Sequence, residues 1–313
     1  MSKLHVAFLT ALILVAGCRR ENAPTPFQVG KQLLSQGKPR EAIEMLITVP
    51  WSSSDVMAAR KLISETCTRI ELANAETGAR PRIEMVEIVS TLPHDPTCFT
   101  EGLEFDQGIL LESCGLTGKS SVRRVEALTG TVLTEQKLDK KYFGEGLTQF
   151  NGALFVLTFQ EGIGLVFDSQ LTRQERAFTF QGEGWGLTHN ATDLICSNGT
   201  NEIRFLDPKT GAIKNTIKVF NGDLPIMNIN ELEYVNGELL ANIYLTERIA
   251  RIDPASGKLL GWILAEGLLS NDLYFKKTDI LNGIAYDAAE GRLFLTGKLW
   301  PSVFIVRLKP FPL

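Results

Sequence analysis

From residue 83 onward, short apolar runs alternate with turns rich in glycine, asparagine and aspartate. Runs of this length, built from valine, isoleucine, leucine and phenylalanine, predict β-strands and an all-β domain. Before residue 83, the apolar positions recur with a different spacing. Apolar positions recur at helical spacing within residues 24–71, with a turn at 36–39 after the first predicted helix. The pattern therefore predicts a small α-helical extension followed by a larger β domain.

The helical extension resembles one helix-turn-helix unit of a tetratricopeptide repeat, and a third helix is predicted from Asp55 to about Glu71. The apolar positions that define the first two helices are Phe27, Leu33, Leu34, Ala42, Ile43, Leu46 and Ile47. A single unit cannot bury its own apolar face, so it must dock on a neighbour. Two roles stay open, namely structural docking or spacing, and protein binding. We place the extension and linker at 18–80, with the boundary at the Gly-Ala-Arg-Pro stretch 78–81.

Five segments of the β domain repeat one pattern, a polar or aromatic residue followed by glycine or glutamate and then an aliphatic residue. Their first positions, at intervals of 44, 40, 45 and 52 residues, are Glu101, Glu145, Trp185, Asn230 and Asn282. A four-stranded propeller blade takes roughly 40–50 residues. Two units also carry the hairpin corner Asp-Pro-x-Thr/Ser-Gly, at 207–211 and 253–257. The repeat predicts a five-bladed β-propeller over residues 81–313.

The first positions of the repeat form a ring, because the innermost strands of a propeller line its central channel. Two carboxylates, two amides and an indole do not make an apolar core, so the ring is a candidate polar pocket. Carboxyl groups held close together raise one another's pKa, which is frequent in catalytic sites. The alternative is a set of polar groups that only hydrates the channel axis. The repeat alone does not separate these two interpretations.

The first residues have the features of an export signal. Lys3 precedes an apolar stretch from Val6 to Ala16, which is too short to span a bilayer comfortably. The sequence Leu14-Val-Ala-Gly-Cys18 resembles the lipobox of bacterial lipoproteins. We therefore expect a signal peptide at 1–17, lipidation of Cys18, and residence in the cell envelope, in the periplasm or at the outer membrane. The alternative is an ordinary secretory signal in which Cys18 has no role.

Composition narrows the function classes. The 313 residues are 44% apolar and 22% charged, an ordinary globular composition. The net charge of −4, without a basic cluster, argues against nucleic-acid binding. The three histidines and five cysteines match no metal-site spacing, so neither a metal nor another cofactor is expected. Cys98 and Cys114 flank a predicted hairpin with its turn at 106–108, where they could form a disulfide or remain as buried free thiols.

Six motifs resemble, in order and at fitting spacing, those of the plant and bacterial glutamine cyclotransferase family. They are His94-Asp-Pro96 with Phe99-Thr-Glu-Gly-Leu103, Phe143-Gly-Glu-Gly-Leu147, Gly184-Trp-Gly-Leu187, Asn230-Glu-Leu-Glu233, Leu281-Asn-Gly-Ile-Ala285 and Thr296-Gly-Lys-Leu-Trp300. The resemblance covers about 91–308 and leaves the helical extension outside. It implies a five-bladed propeller that converts the N-terminal glutamine of peptides to pyroglutamate and releases ammonia, without a catalytic metal. We expect a monomer that acts on such peptides and meets the membrane only through its lipid anchor.

The resemblance also implies residue roles. Glu145 is the expected acid/base, since cyclisation removes a proton from the α-amine and delivers one to the departing amide nitrogen. Lys298 either holds Glu145 ionised or stabilises the developing oxyanion; the alternative is a strand-end lysine in solvent. Asn230 is expected to orient the substrate. The expected aromatic walls of the substrate pocket, some of which could instead serve packing between blades, are Phe99, Phe143, Phe159, Trp185 and Tyr244.

Three positions depart from the family pattern. Glu101, which we also expect to contact substrate, stands where the family usually has glutamine, and Phe159 and Tyr244 stand where tryptophan is expected. A carboxylate at Glu101 raises the pKa of Glu145 unless Lys298 offsets it. The two changed aromatic positions and the helical extension favour the alternative function, a non-catalytic, lipid-anchored propeller that binds peptides or envelope proteins. The presence of Glu145 together with Lys298 favours the enzyme.

Overall fold

The computed structural model describes residues 24–49, 53–55, 58–59, 61–63, 65–66, 81–270 and 278–311. The expected signal peptide, the lipidation site Cys18 and most of the expected linker lie outside these residues. The chain divides into two compact units, Met1–Val56 and Met57–Leu313.

The first unit contains the two predicted helices, α1 (Pro26–Ser35) and α2 (Pro39–Ile47). Thr25 and Gln28 form a capping box at the start of α1. The Thr25 hydroxyl accepts a hydrogen bond from the Gln28 backbone N–H (3.2 Å), and the Gln28 side chain accepts one from the Thr25 N–H (2.9 Å). Gly37, with φ of 73°, ends α1 in the predicted turn. The helical part of the fold prediction is confirmed for these two helices.

Residues 58–59, 61–63 and 65–66 are also helical and fall within the predicted third helix. No helix among the described residues is long and apolar enough to cross a membrane.

From Arg82 onward, the second unit is built from β-strands. In chain order, the strands of the described residues are β1 (Arg82–Pro93), β2 (Thr100–Asp106), β3 (Ile109–Cys114), β4 (Ser121–Glu126), β5 (Thr131–Lys137), β6 (Gly144–Phe150), β7 (Ala153–Thr158), β8 (Ile163–Asp168), β9 (Gln174–Thr179), β10 (Leu187–His189), β11 (Leu194–Ser197), β12 (Glu202–Leu206), β13 (Ile213–Lys218), β14 (Phe220–Asn221), β15 (Leu224–Pro225), β16 (Ile229–Val235), β17 (Glu238–Ile243), β18 (Arg248–Ile252), β19 (Leu259–Leu264), β20 (Leu281–Asp287), β21 (Arg292–Gly297) and β22 (Ser302–Pro310).

These strands form five four-stranded antiparallel blades, and β14 and β15 form a short hairpin between the third and fourth blades. Four blades are consecutive in sequence: β2–β5, β6–β9, β10–β13 and β16–β19. The fifth has the order β20-β21-β22-β1, so the first strand of the chain completes the last blade. The innermost strands β2, β6, β10, β16 and β20 contact one another in turn, and β20 contacts β2. The predicted five-bladed propeller is confirmed.

Strand β1 also connects the fifth blade to the fourth. Its residues Arg82–Met85 pair in parallel with β19 of the fourth blade, while β1 pairs antiparallel with β22 over most of its length. A single strand therefore joins two neighbouring blades. Between blades the contacts are apolar; for example, Leu157 and Phe178 of the second blade belong to one cluster with Leu187 and Leu194 of the third.

The glycine of the repeat lets neighbouring inner strands approach. A Cβ on Gly146 would lie 2.3 Å from the backbone nitrogen of Leu187, and one on Gly186 would lie 2.1 Å from the carbonyl oxygen of Asn230. The Gly146 N–H donates to the Trp185 carbonyl at 2.7 Å across the same boundary. No side chain fits there, which explains why glycine follows Glu145 and Trp185.

The two open interpretations of the cysteine pair are resolved in favour of a disulfide. Cys98 and Cys114 are bonded, with their Cα atoms 5.0 Å apart. The bond closes the hairpin of β2 and β3, whose turn is at Gln107 and Gly108, both with positive φ. Cys196 is a buried free thiol. The disulfide thus fixes the segment that carries Phe99.

Candidate active site

Antiparallel pairing places the predicted site residues at one end of the channel. In each blade the first residues of the innermost strand lie beside the last residues of the second strand. The second residue of the innermost strand is Glu101 in β2, Glu145 in β6, Asn230 in β16 and Asn282 in β20. The predicted site residues that directly precede an innermost strand or directly follow a second strand are Phe99, Phe143, Phe159, Tyr244 and Lys298. Trp185 lies two residues before β10, at the same end.

A break in strand register accompanies the polar ring residues. In four of the innermost strands the pairing slips across the position that carries the ring residue, and bulges of this kind re-aim side chains next to active sites. The slips lie between Thr100 and Gly102, Gly144 and Leu147, Ile229 and Leu232, and Leu281 and Ile284. The ring therefore depends on local backbone irregularity as well as on the repeat.

Lys298 forms a buried ion pair with Glu101. Its Nζ lies 2.7 Å from Oε1 and 2.6 Å from Oε2 of Glu101, and the two side chains are 7% and 2% exposed. Burial disfavours the ammonium, but the Glu101 and Glu145 carboxyl groups outweigh it and raise the pKa of Lys298. The lysine is therefore a buried cation and does not cap a strand end in solvent.

The Glu145 carboxyl is hydrogen-bonded to that of Glu101. Burial first, and then the negative charge of Glu101, raise the pKa of Glu145 well above its usual range, while Lys298 opposes the shift without cancelling it. Burial also raises the pKa of Glu101, against the opposing effect of Lys298. The arrangement fits a charged Lys298–Glu101 pair that accepts a hydrogen bond from a protonated Glu145. The ion-pair partner of Lys298 is thus Glu101, and the two expected roles of Lys298, towards Glu145 and towards the oxyanion, stay predictions.

The two amides of the ring continue this network. Asn282 Nδ2 donates to the Thr100 carbonyl at 2.8 Å and to Glu101 Oε2 at 3.4 Å. Asn230 Nδ2 donates to Asn282 Oδ1 at 2.9 Å. Among the described residues, Oδ1 of Asn230 is buried and has no hydrogen-bond partner. Because a buried acceptor without a partner is costly, this atom is suited to receive a donor from a bound molecule.

Five aromatic side chains form a continuous arc around the polar groups. Successive ring centroids are 6.5 Å apart for Phe99 and Phe143, 5.8 Å for Phe143 and Phe159, 6.2 Å for Phe159 and Trp185, and 5.6 Å for Trp185 and Tyr244. Lys298 joins the two ends of the arc, since its Nζ lies 4.5 Å from the Phe99 centroid and 5.5 Å from the Tyr244 centroid. Edge and tilted contacts of this kind leave the ring faces able to enclose an apolar chain.

Two acidic residues near the site were not predicted. The indole N–H of Trp185 donates to Glu183 at 3.1 Å, and the negative charge of Glu183 contributes to the raised pKa of Glu145. Asp279 pairs through its backbone with Lys298, and its charge contributes to the raised pKa of Glu101. The position of Glu183, two residues before Trp185 in the sequence, could have identified it as a residue near the site. Nothing in the sequence pattern pointed to Asp279.

A second set of carboxyl groups, buried at Glu233 and partly buried at Glu104, lies further along the innermost strands. Glu104 accepts hydrogen bonds from the Thr148 hydroxyl (2.6 Å) and the Gln149 N–H (3.0 Å), and burial raises its pKa to about 7. Glu233 accepts from the Tyr286 N–H at 3.0 Å. These contacts tie neighbouring innermost strands together.

One group of three potential metal ligands, His94, Cys98 and Glu112, occurs within the described residues. The Cys98 sulfur is bonded to Cys114, so it offers no thiolate. His94 Nε2 and Glu112 Oε1 are instead hydrogen-bonded to each other at 2.7 Å.

Comparisons with known proteins agree with the resemblance in sequence. Residues 61–308 match the model of a family described as glutamine cyclotransferase. A glutaminyl-peptide cyclotransferase of Arabidopsis thaliana is 41% identical over 234 residues, which cover 73% of this chain and 72% of that protein. The crystal structure of a glutaminyl cyclase from Myxococcus xanthus superposes with a TM-score of 0.69 at 33% identity, covering 74% of this chain and all of that one.

Proposed function

The chain belongs to the glutamine cyclotransferase family, and on that premise we propose that it converts the N-terminal glutamine of peptides to pyroglutamate with release of ammonia. Glu145 transfers the protons, in the pocket enclosed by the aromatic arc. The observation that carries this assignment is the hydrogen-bonded set of Lys298, Glu101 and Glu145, in which burial and like charge keep a proton on Glu145. A carboxyl group with a raised pKa is the form that proton transfer near neutral pH requires.

The two oxygens of a neutral Glu145 match the two proton transfers of the reaction. The α-amine attacks the γ-carbonyl carbon, and a carbon–nitrogen bond forms. A proton of the α-amine passes to the carbonyl oxygen of Glu145, while the Glu145 hydroxyl protonates the amide nitrogen of the substrate side chain. The bond from the attacked carbonyl carbon to that nitrogen then breaks, and ammonia leaves. Glu145 ends as it began, with one proton, so a single residue completes the cycle.

Lys298 provides the positive charge for the oxygen of the γ-carbonyl as it becomes an oxyanion. An ammonium group has three N–H donors. Two of them reach Glu101, and the third is free to face the pocket between Phe99 and Tyr244. A fixed charge in a site that excludes water stabilises the transition state more than the same charge in solution. We propose that the reaction is an acyl transfer that needs no metal.

Substrate orientation falls to Asn230 and the aromatic arc. The unpaired Oδ1 of Asn230 suits the α-amine or amide N–H groups of the substrate. The arc, formed by Phe99, Phe143, Phe159, Trp185 and Tyr244, packs against the methylene groups and excludes water. We further propose that the protein acts as a monomer in the cell envelope, held through a lipid on Cys18, and that its substrates are peptides with N-terminal glutamine.

The test is ammonia release from a dipeptide that begins with glutamine, with the mass loss of one ammonia measured in parallel. Two substrate controls separate cyclisation from other amide hydrolysis: the N-acetylated dipeptide, which has no free amine, and the dipeptide that begins with asparagine. Dialysis against a chelator before the assay is expected to leave the rate unchanged. Absence of turnover with the glutamine dipeptide, or equal turnover of the acetylated one, would refute the proposed function.

Glu101→Gln is expected to move the alkaline limb of the kcat/KM profile to lower pH. In the proposed mechanism Glu145 acts with its proton in place, so activity falls as the pH rises through the pKa of Glu145. After burial, the negative charge of Glu101 is the largest cause that raises this pKa. Glutamine keeps the shape of the side chain but carries no charge, so the pKa of Glu145 falls and the alkaline limb moves down with it. Initial rates across the pH range measure the shift.

Glu104→Gln is the matched control for this pH shift. It removes another glutamate of β2, which is partly buried, has its pKa raised to about 7, and contacts Thr148 and Gln149 rather than Lys298. The alkaline limb is expected to stay in place in this variant. If Glu101→Gln also leaves the limb in place, Glu101 does not set it.

A further inference from the structure

His94 belongs to a sequence motif that the proposed mechanism does not use. Its backbone N–H donates to the Pro301 carbonyl at 3.0 Å. Its ring Nδ1 lies 2.6 Å from the Trp300 carbonyl oxygen, and its Nε2 lies 2.7 Å from Oε1 of Glu112. The side chain is 4% exposed. A buried residue with three short hydrogen bonds between distant parts of the chain is placed to fix one part against the other.

Both ring nitrogens of His94 face oxygen acceptors, so both carry a proton in this arrangement. Burial opposes the charge, but Glu112 outweighs it and raises the pKa of His94. Asp95 acts in the same direction. His94 and Glu112 therefore form a second buried ion pair, beside the pair of Lys298 and Glu101.

One series of contacts connects His94 with Lys298. His94 holds the carbonyl groups of Trp300 and Pro301, in the turn that follows Lys298. In the same turn the Leu299 N–H donates to the Cys98 carbonyl at 2.8 Å, and Leu299 has a φ of 60°, an unfavourable value for a leucine. Such a backbone persists only where its surroundings enforce it. The His94 contacts are among those that enforce it.

A second series of contacts connects His94 with Glu101. Glu112, held by His94, accepts a hydrogen bond from the Thr100 hydroxyl at 2.9 Å. Thr100 directly precedes Glu101, and its carbonyl accepts from Asn282. His94 thus reaches both members of the Lys298–Glu101 pair, from the two sides of the boundary between the last blade and the first.

We propose that His94, together with Glu112, is a positioning residue for the reaction, which sets the location of Lys298 relative to Glu101 and the substrate oxygen. This role rests on the proposed function of the site. It does not require His94 to touch the substrate. A misplacement of about 1 Å at a catalytic group can cost roughly 10²-fold in rate.

The test is a separation of kcat from KM in His94→Ala. We expect kcat to fall by roughly 10–100-fold, while KM changes little, because Asn230 and four of the five aromatic residues of the arc belong to the second, third and fourth blades, whereas His94 acts at the boundary between the fifth and the first. His94→Gln is expected to recover part of the loss, since its amide group can still donate to the Trp300 carbonyl. Circular dichroism and thermal unfolding establish that each variant is folded at the assay temperature.

His189→Ala is the matched control, because it removes the other histidine among the described residues. His189 is hydrogen-bonded to Thr148 through Nδ1 and has no link to the turn after Lys298. The kcat of His189→Ala is expected to equal that of the parent. A folded His94→Ala variant with the parental kcat would overturn the positioning role, as would a loss that only follows the unfolded fraction. Absence of turnover by the parent would instead refute the function of the site.

Discussion

Glu145→Gln is expected to lower kcat by roughly 10²–10⁴-fold, the usual contribution of general acid–base catalysis. Glutamine has the same shape, and its amide can still donate to Glu101, so the pocket keeps its form. It cannot give up a proton and take up another, so the transfer from the α-amine to the leaving nitrogen stops. Ammonia release from a glutamine dipeptide measures the loss, with enzyme in large excess to reach slow rates.

The same substitution is expected to keep or raise thermal stability. Glu145 lies beside Glu101 in a buried site, where the two carboxyl groups disfavour each other's ionisation. Because its pKa is raised in the folded protein, Glu145 must take up a proton on folding at neutral pH, and glutamine removes that cost. Equal turnover by Glu145→Gln and the parent would remove Glu145 from the mechanism, even if the parent is a cyclase. A loss of rate accompanied by unfolding would not support the role. Glu104→Gln shows how removal of a partly buried glutamate outside the site changes stability.

The repeat predicted the architecture because blade spacing and turn chemistry are local properties. The five repeats and their intervals indicated the number of blades, and the glycine after Glu145 and Trp185 reports a close backbone contact between neighbouring innermost strands. The ring followed from the same repeat, since equivalent positions of successive blades meet at the axis. The part of β1 that pairs in parallel with β19 was not predicted, because it depends on contacts between residues far apart in sequence.

Side-chain pairing was harder to predict than side-chain placement. Lys298 was expected near Glu145, and it lies there, but its ion pair is with Glu101. The carboxylate that pairs with a buried lysine depends on side-chain rotamers and on desolvation, and a sequence pattern reports neither. The sequence left the disulfide between Cys98 and Cys114 undecided for a similar reason. Two cysteines that flank a hairpin can bond only if the strand register brings them close together.

The two aromatic departures from the family pattern leave the wall of the pocket closed. Phe159 lies 5.8 Å from Phe143 and 6.2 Å from Trp185 between ring centroids, and Tyr244 lies 5.6 Å from Trp185. Distances in this range are those of favourable aromatic pairs. The departures therefore do not favour a purely binding propeller, whereas the change at Glu101 alters the charge next to the acid/base group.

Lys298→Met is expected to damage both activity and stability. Methionine matches the length of the lysine side chain but leaves the Glu101 carboxylate buried without its partner. Breaking one side of a buried ion pair typically costs about 3–5 kcal/mol. Loss of a charge that stabilises the oxyanion costs roughly 10²–10³-fold in kcat. Chemical unfolding and ammonia release measure the two effects separately.

The double variant Lys298→Met/Glu101→Gln separates these two effects of Lys298. With both charges gone, no unpaired ion remains, so stability is expected to return close to that of the parent. Activity is expected to stay low, because the oxyanion still lacks its positive partner. Glu101→Gln alone keeps that partner and serves as the reference for the double variant. If activity returned together with stability, Lys298 would serve only to neutralise Glu101, and the transition-state charge would have to be stabilised by the amide groups of the ring.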